Sequence, residues 1–339
     1  SAGKNFFIII DVFSAQVIPL VNTSLFSSNS PFFRLLLIIT FFSAASLIPF
    51  IGLLFLITLP MVLFVLYLLN DPSKTLIAFV VVLCVLAILL ASIHSILPVF
   101  VLAAMGLVGM VMARTAQKNY STEVITILPA LILLGAIVFY VFYSASQLSI
   151  SAWQLIEKYF TQAVELNIKF YSQLPLKPEE LKAIQDSKPA VINLFTGIFP
   201  ALCIIVVLFI VWMNTLMGNR ALYKAGVVLP QLSSLCEWRA PGWLVWFFIA
   251  GGALSLLGQA NIRLWGLNVF LVVSFIYLLQ GLAIVSFFFQ HKNVPFFFRW
   301  ISYFLIAIQQ ILMIAIAAIG LFDIWIDFRK YFRKDQTTT

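Results

Sequence analysis

The stretch Leu76-Ile77-Ala78-Phe79-Val80-Val81-Val82-Leu83-Cys84-Val85-Leu86-Ala87-Ile88-Leu89-Leu90 carries no charge over fifteen residues, and Cys84 is its one weakly polar side chain. A bilayer core is about 30 Å thick and needs ~20 mostly apolar residues per helical crossing, so this run reads as a membrane span. Upstream, residues 32–69 are almost wholly apolar. As one helix they would reach roughly 57 Å at 1.5 Å per residue, nearly twice the core, and so they must fold back. Pro49 and Gly52 mark the break, because proline has no N–H to donate within a helix and glycine permits a sharp turn. Spans are then expected over 32–48 and 53–69, with Asn70-Asp71-Pro72-Ser73-Lys74 a turn by composition. Downstream, the same reading gives spans near 75–93, 98–113, 123–145, 190–216, 242–257, 265–290 and 298–322. The expected fold is all-α, a polytopic transmembrane helical bundle of about nine spans, within a range of about eight to ten. Residues 6–21, interrupted by Asp11 and Pro19, compete as an interfacial helix or a tenth span, the interfacial form being the preferred reading.

Composition agrees. Of 339 residues 63% are hydrophobic and 9% charged, with a mean hydropathy of +1.09. Soluble domains carry roughly 25% charged residues, which excludes a water-soluble fold. The net charge of +8 comes from Lys and Arg scattered mostly singly between apolar runs. Outside the C-terminal segment they form no basic stripe interleaved with aromatics, so nucleic acid is not an expected partner; topology and lipid headgroups are their expected roles. Cys84, Cys203 and Cys236 are widely spaced, which offers neither a disulfide framework nor a CxxC metal site. Free thiols, no metal and no cofactor are expected. The chain opens Ser1-Ala2-Gly3 without a basic segment and small-residue cleavage site, so its first span is expected to act as its own insertion signal.

Five segments follow: an interfacial segment at 1–30, a first bundle half of five spans at 31–145, a polar loop at 146–189, a second half of four spans at 190–328, and a basic polar tail at 329–339. The loop holds five Lys and five Asp or Glu. Within it Trp153, Ile156, Phe160, Ala163 and Phe170 recur at helical spacing, as in an amphipathic helix lying on a membrane or on the bundle. Pro175 and Pro178 end that helix, and Lys177-Pro178-Glu179-Glu180 opens a second short one, its acids set where the helix dipole favours them. The positive-inside rule puts Arg34, Arg114, Lys118, Arg220, Lys224 and Arg239 in the cytoplasm and the balanced loop outside. A nine-span count then leaves Phe328-Arg329-Lys330-Tyr331-Phe332-Arg333-Lys334 outside, against the preference of its own charges. The sidedness of that segment stays open at this level.

Polar side chains at membrane depth are costly unless they face protein or water, which makes them candidates for function. With 298–322 taken as one helix continued to Asp327, Ser302, Gln309, Gly320, Asp323 and Asp327 fall within about 40° of one line, interrupted by Met313 and Ile316. That face is either a packing seam, with Gln309 as interhelical glue, or the lining of a cavity with Asp323 and Asp327 near its mouth. The preceding span offers Asn268, Ser274, Tyr277, Gln280 and Gly281, whose amides either meet this face or bond to nearby backbone carbonyls. The candidates for a ligand cavity are therefore Asn268, Tyr277, Gln280, Gln309, Asp323 and Asp327. Gly106, Gly109 and Ala113 form a close-packing face. Trp238 and Arg239, with Trp243, suit an aromatic belt and a headgroup contact, or together with Arg329 an interface for a partner. His94 and His291 are far apart, and no HExxH, GxSxG, P-loop or paired-carboxylate spacing occurs, so catalysis is not expected.

Trp238-Arg239-Ala240-Pro241-Gly242-Trp243-Leu244-Val245-Trp246, Asn268, Tyr277-Leu278-Leu279-Gln280-Gly281-Leu282-Ala283, Gly320-Leu321-Phe322-Asp323 and Asp327-Phe328-Arg329 resemble the YybS-like family of bacterial polytopic membrane proteins, over roughly 220–334. The first half, with closely spaced short spans, the small-residue helix Ala103 to Ala113 and the basic hairpin at Arg114, is similar to the S components of energy-coupling-factor transporters. It departs from them in lacking a clear AxxxA pair, Thr40 and Ala44 coming closest. The resemblances imply a multi-pass protein of the bacterial cytoplasmic (inner) membrane. The expected role is to bind a small molecule or lipid in a helix-lined cavity in a transport-related capacity; the alternative is a non-catalytic structural or assembly subunit of a membrane complex. Expected partners are membrane lipids and another membrane protein or coupling subunit.

Overall fold

The computed structural model describes residues 31–92, 97–174, 177–232 and 235–330. The interfacial reading of 6–21, His94 and the tail beyond Lys330 lie outside these. Every regular element among the described residues is helical: α1 Pro31–Ala45, α2 Gly52–Leu69, α3 Pro72–Ala91, α4 Leu97–Gln117, α5 Thr122–Gln147, α6 Ala152–Tyr171, α7 Pro178–Lys224, α8 Leu244–Ser255, α9 Ala260–His291, α10 Phe296–Ile308 and α11 Gln310–Ile326, with single turns of tighter helix at Pro230–Leu232 and Leu235–Glu237. Six of these, α2, α3, α4, α5, α7 and α9, are long and apolar enough to cross a membrane, or seven if α10 and α11 count as one broken span. The described residues thus hold six to seven helices of spanning length where nine spans are expected. α1, with 15 residues, and α8, with 12, are too short to be counted on length, and the expected span 298–322 is turned through 103° at Gln309.

The chain divides into two compact units, Ser1–Leu133 with Val207–Gly242 and Ile276–Thr339, and Leu134–Val206 with Trp243–Phe275. In the first, α2 is the core: the run from Leu59 to Leu66 is at most 1% exposed wherever it is apolar and aliphatic or aromatic. α1, α3 and α4 pack round it. Gly109 of α4 lies so close to the backbone of Pro60 that a Cβ there would strike the proline carbonyl, while Gly106 faces the ring of Phe79. The small-residue face of this helix is a packing face, as its composition predicts. α3 starts three residues earlier than the expected 75, because Pro72 suits the first turn and the Asp71 side chain caps it, accepting from Ser73 N at 2.9 Å.

In the second unit α6 opens with a reciprocal cap between Ser151 and Gln154 and packs on the start of α7. Phe160 stacks on Phe195 at 5.8 Å and meets Phe199 edge-on, and Lys188 pairs with Glu165. Of the expected stripe, Phe160 packs on α7, while Trp153 and Phe170 are exposed. The second short helix expected after Pro178 is in fact the start of α7, 47 residues long. At roughly 70 Å it outruns any bilayer core. Pro189 and Pro200 both sit inside it without ending it. α8 and the start of α9 approach closely at Gly251 and Gly266, each against backbone of the other helix.

Candidate functional site

Several polar residues of the first unit converge on Asp323. α11 ends two turns after Gly320, whose missing side chain lets its backbone rest on Tyr277 O and Gly281 N of α9; Gly281 in turn rests on Ile316 O. This contact brings Gln280 and Asp323 together, the Gln280 amide donating to Asp323 Oδ2 at 3.1 Å. Asp327 closes α11 in the left-handed conformation, φ 48°, its N–H bonded to Asp323 O, and so turns the chain back. The next N–H, from Phe328, donates to Asp323 Oδ1 at 3.0 Å, and Arg329 Nη1 donates to Oδ2 at 2.7 Å. Arg239 Nε lies 3.8 Å from the same oxygen, and Arg239 Nη2 also pairs with Asp327.

Arg329 spends its other donors on the linker between α7 and α8, Nε on Cys236 O at 3.2 Å and Nη2 on Trp238 O at 3.0 Å. Gln280 Oε1 accepts from Ala240 N at 3.1 Å. The side chains of Asp323 and Arg329 are 0% and 2% exposed, whereas Arg239 and Asp327 stay near half-exposed at the rim. Burial pushes the Arg329 guanidinium below the ordinary arginine range and the Asp323 carboxylate pulls it back up; arginine stays charged under any such balance. Two arginines and two aspartates thus form a neutral, hydrogen-bonded clasp that ties α9, α11 and residues 236–240 together.

A second arrangement occurs once in each unit. Pro60 interrupts α2, and Asn214 of α7 reaches across so that its Oδ1 accepts from Met61 N at 2.8 Å while Nδ2 donates to Ile57 O at 2.9 Å. Met61 N–H and Ile57 C=O are the pair that would close that turn of an unbroken helix. Pro200 interrupts α7, and Asn268 of α9 repeats the device, accepting from Ala201 N and donating to Gly197 O, both at 2.8 Å. Each asparagine also bonds to the carbonyl four residues back in its own helix, Ile210 or Leu264. An amide side chain is suited to this because it offers an acceptor and two donors on one small plane.

The family-model comparison matches residues 36–324 to a family described as "Predicted membrane protein (DUF2232)". The chain belongs to that family. No curated protein and no solved structure matches it. For a membrane protein of this family, the candidates named from sequence separate into three groups. Gln280, Asp323, Asp327, Arg239 and Arg329 meet in the clasp, with Trp238 contributing its carbonyl and donating its indole N–H to Glu123 at 3.0 Å. Tyr277 is 1% exposed beneath the Gly320 contact. Asn268 bonds to the Pro200 turn, as the backbone-bonding reading of that amide required. Gln309 corrects the sequence reading: it forms the break between α10 and α11 and is exposed, so Ser302 and Gln309 do not share a line with Asp323. Asn214 was missed, although a lone asparagine in the apolar run Val211-Trp212-Met213-Asn214 and a helix-internal Pro60 were both visible as polar demands without partners.

Proposed function

We propose that the protein is a non-catalytic structural or assembly subunit of a membrane complex, in the cytoplasmic membrane of a bacterium as its YybS-like resemblance implies. One observation carries this reading: Gln280 and Asp323, the buried polar side chains best placed to line a binding cavity, spend their hydrogen-bonding capacity on Arg329, Phe328 N and Ala240 N. Buried groups of this kind lose more on separation than a small ligand readily returns. The transport-related reading, with a bound small molecule or lipid and an S-component-like coupling partner, is the second; the half-exposed Arg239 and Asp327 at the clasp rim favour it. Gentle extraction of the tagged protein followed by mass spectrometry separates the two. The same membrane protein recovered in fixed stoichiometry, and lost on variants of exposed residues, supports the subunit reading. A recurrent metabolite or lipid retained by the isolated chain, and released by Arg239→Ala, sinks it.

A further inference from the structure

The two ends of the α10–α11 pair lie at one face of the first unit. Trp238 fixes that face, since its indole meets Glu123 at the start of α5 while its carbonyl accepts from Arg329. Seven residues earlier, Gln231 Nε2 donates to Ala116 O near the end of α4 at 2.8 Å, and Leu232 O accepts from Asn219 near the end of α7. Arg114 of α4 bonds in turn to the Tyr67 hydroxyl near the end of α2. The basic residues Arg114, Lys118, Arg220 and Lys224 therefore crowd one end of the unit.

α9 arrives at this same end. Cys236 Sγ lies 3.8 Å from Gln290 Oε1, one residue before His291 closes α9. α10 starts immediately after it, anchored by Arg299 Nε on Val294 O at 2.6 Å and by Tyr303 against Phe289. α11 then comes back. Asp323 sits beside Gln280, and six residues on Arg329 sits beside Cys236, which is itself beside Gln290. Between Asp323 and Arg329 the chain thus travels in the direction that α9 takes from Gln280 to Gln290. The arms are roughly 20 and 25 Å long at 1.5 Å per residue and turn through 103° at the exposed Gln309.

We infer that α10 and α11 form a re-entrant pair that enters and leaves the bilayer at the face carrying Arg114, Lys118, Arg220 and Lys224. This assignment also removes the conflict between a nine-span count and the charges that follow α11: the pair makes no crossing, and Arg329 and Lys330 stay with the other basic ends, as the positive-inside rule requires.

The test uses single cysteines in the full chain with Cys84, Cys203 and Cys236 replaced by serine or alanine. Lys118→Cys and Lys330→Cys, both at exposed positions, are reacted with a membrane-impermeant maleimide in sealed vesicles of one orientation and then of the other. The expected result is labelling of both from the same side. Labelling of the two from opposite sides overturns the inference. Should the cysteine-free chain prove unstable, protease protection of an epitope placed after Lys330, set against one in the Lys118–Ser121 turn, reads the same sidedness in the native chain.

Discussion

Asp323 and Asp327 are four residues apart and carry the same charge, yet their environments make their deletions unequal. Asp323→Ala strands the guanidinium of Arg329, whose side chain is 2% exposed, and an uncompensated buried charge costs about 3–5 kcal/mol. Asp327→Ala removes a pair that water already screens, for which ~1 kcal/mol or less is expected. Thermal unfolding in one detergent should therefore show a large fall in Tm for the first variant and a small one for the second. Comparable falls would mean that the clasp does not depend on its buried pair. Adding Arg329→Met to Asp323→Ala should recover much of the loss, since an apolar side chain in that place asks for no partner. The sequence marked Asp323 and Gln280 as residues needing an explanation at membrane depth, and Arg239 as a headgroup or interface residue. It could not show that they answer one another, because 93 positions separate Arg329 from Cys236 and only folding brings those groups together.

At the scale of single helices, the punctuation that composition supplies was readable and the rest was not. Pro49 with Gly52, and Asn70 to Lys74, break the chain where proline, glycine and short polar residues predict. Gln309 breaks it with neither proline nor glycine between Pro295 and Gly320, so the long apolar run looked continuous. The opposite error occurred in α7, where the expected span starts at 190 and the polar loop ends at 189, yet the helix runs through Pro189 and, within that span, through Pro200. At Pro200 the reason is visible: Asn268 occupies the backbone groups that the proline leaves without regular partners.

The same device at Pro60 gives a sharp expectation. Asn214→Leu leaves Met61 N–H and Ile57 C=O buried and unmet, at about 1–3 kcal/mol each, whereas in a Pro60→Ala background those two groups can close on each other and the same substitution should cost clearly less. Additive losses across that double-mutant cycle would show the asparagine to be a packing residue only. A further variant tests the α9–α11 crossing. Gly320→Leu places a Cβ on Tyr277 O and Gly281 N and should lower stability by roughly 1–3 kcal/mol or more through overpacking, while Gly135→Leu, where a Cβ meets nothing within 4 Å, should be nearly silent.

For the whole molecule, composition was enough to establish a helical membrane protein, and charge placement was enough to group its basic ends. What composition could not count was crossings, because a short helix, a bent pair and a full span share the same apolar content. The distribution of burial predicts how opening is distributed. From Leu59 to Tyr67 every residue of α2 is buried, and α6 buries only Leu155 among its residues. Hydrogen exchange followed by mass spectrometry should accordingly find residues 59–67 the slowest segment and Ala152–Tyr171 orders of magnitude faster. Equal protection of the two would show that α6 is held by something beyond its contact with α7.

The clasp also has an order in time. Ribosomes deliver Gln280 and Asp323 to the membrane before Arg329 has been added, so until that arginine emerges the buried aspartate has neither its strongest cation nor the Phe328 amide. A chain halted after Ile326 would hold every helix from α1 to α11 and still carry, at the Gly281–Gly320 crossing, a carboxylate with only the Gln280 amide and Arg239 beside it. An unfinished copy of this protein therefore carries at that crossing a charge that the finished copy has paired.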